Sequence, residues 1–535
     1  MLSGGVRCAA PAYVAILVAA ALPASAGADA YQADFNGDDY ADLAVGAPGE
    51  AVGPFEEAGA VNVIYSSDAG LASPGDQLWH QEIPGVPDSA EPSPTSDPED
   101  HPDSFGRSLA SGDFDDDGFA DLAIGVPDEV HSGANFAGAV QVLYGSEGGL
   151  TTQGNQFFHQ GTPGIPSAPL SREAFGWAVT SGDLNGDGVD DLVVGARLDA
   201  VGGIEAGSVM SVNGVAGTGL DMTSAKLFAQ SSPGIVGAAA AYDEFGFALT
   251  SGAFDDDAFA DLAVGVPGDE GKKGGVNILY GGPSGISAQD NRRFSQDTGT
   301  IRGVGEGVES EWGRDQFGST VAAGDFDSTG TDDLAIAAPY ETRKKPPNAA
   351  FGMVHVLYSD DFIGITDVGN QLWHQDVDGV LGAGAGSGHD LTAGSFDADG
   401  ADDLAIGSPQ GNDVPTVEGH GTPGAVNVLY GTNGTGLTAI DNQFFHGNND
   451  GVPPGAKAFD DFGMAVFAAD FDLNGASDLA IGLGNRAFSP GFVNVLYSDL
   501  GIGLQTSGAQ SWSQNSPGIE GVAELRDGFG ESLTD

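Results

Sequence analysis

Residues 113–127 read Asp-Phe-Asp-Asp-Asp-Gly-Phe-Ala-Asp-Leu-Ala-Ile-Gly-Val-Pro. The first nine place oxygen-bearing side chains on alternate positions of a glycine-containing turn. The next six are apolar, rich in residues that suit strands, and stop at Gly-x-Pro, which punctuates a strand end. One such hairpin corner says little. Its recurrence decides the fold. The nine-residue segment starts again at Asp34, Asp183, Ala253, Asp325, Ser395 and Asp470, and successive starts along the chain are separated by 79, 70, 70, 72, 70 and 75 residues. Fixed-period self-similarity of this kind marks a repeat architecture.

Three further runs keep their order around each segment. Before it comes Phe105-Gly106, echoed at Phe175-Gly176, Phe245-Gly246, Phe317-Gly318 and Phe462-Gly463. After it comes Val140 to Tyr144, echoed at Val61 to Tyr65, Val276 to Tyr280, Val354 to Tyr358, Val426 to Tyr430 and Val493 to Tyr497. Last comes Gln77 to Gln81, echoed at Gln156 to Gln160, Gln371 to Gln375 and Gln443 to Gly447. Each repeat thus carries four short strands, and no stretch sustains a 3.6-residue period. The expected fold is all-β: a seven-bladed β-propeller with four antiparallel strands per blade. The first repeat lacks its Phe-Gly run, while the chain ends on Phe529-Gly530-Glu531-Ser532-Leu533 with no acidic segment after it. Residues 529–535 are therefore expected to supply the strand that completes the first blade. The expected layout is a leader at 1–26, a short lead at 27–33, and a propeller over 34–535 with repeats starting near 34, 105, 175, 245, 317, 387 and 462.

The first 26 residues carry Arg7, an apolar run from Ala9 to Leu22, and small residues at Ala24-Ser25-Ala26. That is the pattern of a secretory signal cleaved after Ala26, so the mature protein is expected in an extracellular or periplasmic space. The run is short for a membrane span. Cys8 is the only cysteine in 535 residues and lies inside the leader. Cleavage would leave no thiol for a disulfide, a nucleophile or a zinc site.

The composition, with 40% hydrophobic residues, 87 Gly and 28 Pro, suits a packed core with many turns and not a disordered chain. Seventeen basic against 77 acidic residues give a formal charge of −60. Such a field repels phosphate backbones and anionic lipid surfaces, so neither nucleic acid nor membrane insertion is expected of the mature chain.

The acidic segment has the chemistry of a calcium loop. Ca²⁺ takes six to eight hard oxygens. Positions 1, 3, 5 and 9 carry Asp or Asn in most copies, position 7 offers a carbonyl, and Gly is frequent at position 6. An EF-hand would need a Glu at position 12. Here that position is apolar, at Val45, Ile124, Val194 and Ile336, and the loop runs straight into a strand. A metal-free Asx-rich turn is the alternative for any single copy; seven copies in register favour a cation. Ala253 and Ser395 remove the first donor of the fourth and sixth loops, Thr329 alters position 5 of the fifth, and Asp39 takes the glycine position of the first. The second, third and seventh loops rank highest, then the first and fifth, with the fourth and sixth weakest.

The Phe-Gly run, the Asp-x-Asp-x-Asp-Gly-x-x-Asp loop and the Gly-Ala-Pro that ends the following strand together resemble the FG-GAP repeats of the integrin α-subunit head, over essentially the whole mature chain. The resemblance implies a seven-bladed propeller with calcium loops on a lower face and a ligand surface on the upper one. Its ligand positions fall on Asp34, Asn36, Asp38, Tyr40 (carbonyl) and Asp42; on Asp113, Asp115, Asp117, Phe119 and Asp121; and on Asp183, Asn185, Asp187, Val189 and Asp191. They also fall on Asp325, Asp327, Thr329, Thr331 and Asp333, and on Asp470, Asp472, Asn474, Ala476 and Asp478. The weaker sets are Asp255, Asp257 and Asp261, and Asp397, Asp399 and Asp403. About three to five filled structural sites are expected. The inserted ligand-binding domain, leg domains and membrane segment of an integrin have no counterpart here, and no integrin β subunit is implied.

Other features weigh less. His80, His159, His374 and His446 share one repeat position on different blades, which favours a structural strand role over a shared zinc site. Trp79, Trp373 and Trp512 suit blade packing better than sugar stacking. The acidic, Pro-rich insertion from Pro84 to Ser104 and the basic run Arg343-Lys344-Lys345 both fall on upper-face loops, where a binding role competes with plain solvation. No catalytic constellation stands out. The leading expectation is a secreted binding or adhesion module for a protein or glycan ligand. The alternatives are a secreted hydrolase of glycans or phosphodiesters on the same upper loops, and a structural surface or matrix protein.

Overall fold

The computed structural model describes residues 33–55, 57–90, 103–303, 315–341, 352–360, 362–382, 388–409, 424–447, 449, 451–453, 461–484 and 490–534. The leader, nearly all of the 27–33 lead, residues 91–102 of the acidic insertion, the basic run at 343–345 and the repeat start at 387 lie outside these.

The described residues form seven four-stranded antiparallel sheets. Each is a blade whose strands, A to D, run outward from a central channel lined by the A strands. The second blade is representative: Leu109–Gly112 (A), Asp121–Val126 (B), Ala139–Tyr144 (C) and Thr151–Phe158 (D). B and C strands are buried along most of their length, because each blade is packed on both faces by its neighbours. That explains why they read as continuous apolar runs instead of alternating.

The core accordingly lies between blades. One cluster joins Val140 and Val142 of the second blade to Val179, Leu192 and Val194 of the third. A fully buried Phe at position 2 of six of the acidic loops (Phe35, Phe114, Phe254, Phe326, Phe396, Phe471) roots that loop in these layers.

The ring closes as the repeat count requires. Ser532–Thr534 pairs with Leu43–Ala47 in the register Ala44↔Thr534, Val45↔Leu533 and Gly46↔Ser532. Phe529, fully buried, packs with Leu43 and Val45 of the first blade and Phe467 and Val495 of the seventh.

The Phe-Gly run opens the A strand, as expected, in the third and seventh blades (Phe175–Gly182 and Phe462–Ala469), but not in three others. In the second, fourth and fifth blades it precedes the A strand and bridges to the preceding blade: Phe105 N–H donates to Ala58 O at 3.0 Å and Phe317 N–H to Lys273 O at 3.1 Å. Gly106 turns there at φ +86°, where a Cβ would stand 2.8 Å from Ala60 O. The glycine that opens Gly-x-Pro has a matching reason. A Cβ on Gly125 would meet Gly176 O of the next blade at 2.1 Å. The repeat is thus defined by two glycines that let neighbouring blades touch backbone to backbone.

The other recurring runs fasten the rim. The hydroxyls of Tyr65, Tyr358 and Tyr497 accept the backbone N–H of Leu150, Leu437 and Leu71 on the following blade, at 3.2, 3.0 and 2.9 Å. Tyr65, Tyr430 and Tyr497 donate to Gln77, Gln443 and Gln510 of their own blades at 2.6, 2.6 and 2.8 Å. Gln77 Nε2 then donates to Leu150 O, and Gln510 Nε2 to Leu71 O, both at 3.2 Å. The seam between blades seven and one is laced like any other joint. Trp79 and Trp373 are buried and Trp512 is half-buried, their indole N–H groups donating to Gln77, Gln371 and Gln510, as blade packing requires. His80, His159 and His374 stand just after the D strand rather than in it, where Nδ1 accepts the N–H two residues on. Among the described residues no helix is long and apolar enough to cross a membrane.

Candidate metal loops and channel mouth

Six of the acidic loops join an A strand to its B strand, and the first leads into its B strand at the same end, where Ala120 N–H of the second loop donates to Asp34 O; they gather on one face, here the lower. Position 9 is an anchor before it is a ligand. Asp121 takes the N–H of Phe114 on one oxygen and that of Gly145, from the C–D hairpin, on the other, both at 2.9 Å. The same pair of bonds recurs at Asp42, Asp261, Asp333, Asp403 and Asp478. This explains why position 9 stays Asp even where Ala253 or Ser395 has replaced position 1. Position 1 caps the turn: Asp34 accepts from Gly37 at 2.6 Å and Asp39 at 2.7 Å, and Asp325 from Thr329 at 2.9 Å and Gly330 at 2.7 Å.

Position 3 shows whether a cation fits. Asn36 Oδ1, Asp115 Oδ1, Asp255 Oδ1 and Asp327 Oδ1 are buried without a hydrogen-bond partner. Three carboxylates bring one oxygen each within 4.8 Å of one another in four loops: Asp113, Asp115 and Asp121; Asp255, Asp257 and Asp261; Asp325, Asp327 and Asp333; and Asp470, Asp472 and Asp478. An orphaned oxygen among converging carboxylates is the donor set of a hard divalent cation. The fourth loop, ranked among the weakest from Ala253, converges all the same. The third is arranged differently. Asn185 Nδ2 donates to both oxygens of Asp191, at 3.0 and 3.1 Å, so a cation there requires the amide to turn and present its oxygen. In the first loop, Asp34, Asp38 and Asp42 do not form such a triple, although Asn36 Oδ1 is free to serve. In the sixth, Asp397, Asp399 and Asp403 do not form one among the described residues. The remaining positions, Asp117, Phe119, Asp187, Val189, Asp183, Thr331, Asn474, Ala476 and Tyr40, lie on the same turns.

Burial pushes the position-9 carboxyls up to about 8 at Asp42, Asp121, Asp261, Asp403 and Asp478, and neighbouring loop carboxylates add to the rise. Their folded values stand above the unfolded carboxylate value of about 3.9. The stability they contribute without metal is therefore complete below about pH 4 and is lost as pH rises through about 8. In chelator the melting midpoint is expected to fall steadily between pH 5 and pH 9. A bound cation keeps these groups ionised and displaces their protons, so with calcium the fall flattens or reverses. Parallel pH series with and without calcium would contradict this.

The opposite face holds a second feature. The A strands enclose a channel of about 860 Å³. At its upper mouth the residue after each Phe-Gly, or its equivalent, points inward: Arg107, Trp177, Phe247, Ser319, His389, Met464 and Glu531. The Trp177 and Phe247 rings lie 5.6 Å apart, tilted by 46°. The Arg107 and Arg197 guanidinium carbons stand 4.8 and 3.8 Å from the Trp177 ring centre. Arg197 is held by Glu244 at 3.0 Å. Sequence reasoning missed this ring and weighed a binding role for the upper-face loops at 84–104 and 343–345 instead. The signal was there: the position after Phe-Gly, or after Ser387-Gly388 in the sixth repeat, carries a different residue type in every blade.

The FG-GAP repeat family model matches residues 26–64, 105–143, 175–209 and 317–357. Two of the three repeats outside these matches are those carrying Ala253 and Ser395. Phosphatidylinositol-glycan-specific phospholipase D of Rattus norvegicus is 35% identical over 178 residues, covering 33% of this chain and 19% of that protein. Integrin alpha-5 of Xenopus laevis is 29% identical over 245 residues, covering 44% of this chain and 20% of that protein. The match thus spans about a fifth of each relative's length. Among solved structures, the rhamnogalacturonan lyase of Bacillus licheniformis aligns over 79% of this chain and 78% of its own at 12% identity, with a TM-score of 0.32, too loose a likeness to bear on function.

Proposed function

The chain carries FG-GAP repeats of the integrin-α-like kind, and on that premise we propose that it is an exported, calcium-stabilised propeller that binds a protein or glycan ligand at the upper mouth of its channel. The aromatic and arginine platform of Trp177, Phe247, Arg107 and Arg197 carries this reading. Flat aromatic faces and guanidinium groups recognise sugar rings, aromatic side chains and carboxylates. Calcium is assigned a structural role, since its candidate loops stand on the opposite face. The ring has no need of an integrin β subunit to be complete.

A glycan and protein array, run beside a broad hydrolase screen, tests the proposal. Trp177→Ala is expected to lower affinity for the ligand found by at least about tenfold, a loss of about 1.4 kcal/mol, with little change in melting. Unchanged binding would remove the channel mouth from the account. The rival, a hydrolase of glycans or phosphodiesters, draws on the likeness to the phospholipase D; turnover in the screen, lost on substitution of an upper-face residue, would establish it instead.

A further inference from the structure

The upper face also carries an acidic constellation at each of five blade junctions, apart from the nine-residue loops. Its first member stands three residues after the B strand: Glu50, Glu129, Asp199, Asp269 and Glu341. The second stands two residues before the Phe of Phe-Gly: Asp527, Asp103, Glu173, Asp243 and Asp315. All ten are buried. A glutamine two residues after the D strand of the preceding blade completes the set. Where the first member is Glu, that glutamine reaches it: Gln514 Nε2 donates to Glu50 at 2.6 Å, Gln81 to Glu129 at 2.8 Å and Gln296 to Glu341 at 2.8 Å.

Two junctions carry the shorter Asp instead, and there both amide atoms of the glutamine, Gln160 and Gln230, make no hydrogen bond. The two are resolved differently. Between the third and fourth blades, Arg293 places its guanidinium on Asp269, with Nε donating at 2.8 Å and Nη2 at 2.5 Å. Arg293 stands opposite Asn277 in its blade; the matching position of the third blade, opposite Met210, is Leu227. Between the second and third blades, therefore, no guanidinium arrives. Among the described residues no cationic side chain pairs with Glu173 or Asp199; the two carboxyls stand within hydrogen-bond reach of each other, and no other group reaches the buried Glu173 Oε1. The exposures of Gln160, Glu173 and Asp199 are 1%, 1% and 3%. Leu170 N–H and Ser208 Oγ donate to the other oxygens of the two carboxylates, fixing both in place.

We infer that a divalent cation of the calcium type occupies the junction of the second and third blades, held by Glu173, Asp199 and the amide oxygen of Gln160 where the fourth blade uses its own Arg293. Two carboxylates and a carbonyl-type oxygen are hard donors suited to this ion, and two facing carboxylates buried without a cation are costly to keep ionised.

The test counts calcium per chain by equilibrium dialysis and elemental analysis in the wild type, Glu173→Gln, Leu227→Arg and Asp115→Asn. Glu173→Gln and Leu227→Arg are each expected to hold one ion fewer than the wild type, the arginine because it delivers to the third blade the charge that Arg293 delivers to the fourth. Equal counts in wild type, Glu173→Gln and Leu227→Arg would overturn the inference and leave a proton shared by the pair. Should Glu173→Gln fail to fold, Leu227→Arg decides alone. Asp115→Asn reports on the lower loops separately, so failure of either assignment leaves the other readable.

Discussion

Removing residues 529–535 is expected to abolish the single cooperative melt of the ring. The deletion takes out Phe529, fully buried in the layer between blades seven and one, together with the strand paired to Leu43–Ala47. Truncating a buried Phe alone costs about 3–5 kcal/mol. The deletion also strands the edge of the first blade, whose carbonyl at Gly46 accepts the Gly530 N–H at 2.9 Å, each buried group left unpaired costing about 1–3 kcal/mol. Together these rival the whole stability of a typical domain, about 5–15 kcal/mol. Calorimetry on the truncated chain should show a broadened or lost transition, and hydrogen exchange should show the first-blade B strand opened to solvent. A truncated chain that melts as sharply and as high as the full one would mean the ring does not depend on its last strand. Phe529→Ala gives a graded version, expected to keep the fold and lower its midpoint.

Withdrawal of calcium carries the second large effect. A ligand held at a hundred times its dissociation constant stabilises a site by about 2.7 kcal/mol. With four loops gathering their carboxylates, the proposed occupancy amounts to roughly 10 kcal/mol at that excess. The chelated protein should melt far below the calcium-loaded one, the gap growing with free calcium. Magnesium should substitute poorly, since it demands tighter octahedral geometry than an open loop of carboxylates gives. Identical melts with calcium and with chelator would remove the cation from the account. Asp255→Asn probes the fourth loop, which lacks its first carboxylate: if the loop binds, this variant loses part of the calcium-dependent gap.

Most of the ring was legible in the sequence because it repeats. The seven acidic loops, the four strand runs and the orphan Phe529-Gly530 each announce themselves by position, and the pairing of the last strand with the first blade follows. The Phe-Gly run opens the A strand in the third and seventh blades but stands before it in the second, fourth and fifth, where its task is between blades: a local reading sees an apolar residue before a strand and cannot see Ala58 O on the neighbouring sheet. Loop ranking by donor count put the fourth loop low, yet its backbone is set by Phe254 and Asp261 and not by the missing carboxylate. Conversely, the third loop has a full set of donors, but Asn185 turns its nitrogen to Asp191. The channel mouth was hidden because its members lie about seventy residues apart and share no residue type; only their common repeat position, after Phe-Gly or its Ser387-Gly388 counterpart, unites them.

The seam between Gly46 and Ser532 bears on how the protein is made. Every other blade can assemble as soon as its own four strands have left the ribosome. The first must wait for residues nearly 490 positions downstream, roughly 25–100 s at ordinary rates of synthesis. Throughout that interval the Leu43–Ala47 strand presents bare amide and carbonyl groups, a surface to which another nascent chain can add. Its composition, Leu-Ala-Val-Gly-Ala, offers no charge to deter such an encounter. The acidic Asp34, Asp38, Asp39 and Asp42 beside it do, so the carboxylates of the first loop guard the unfinished rim of the wheel during translation.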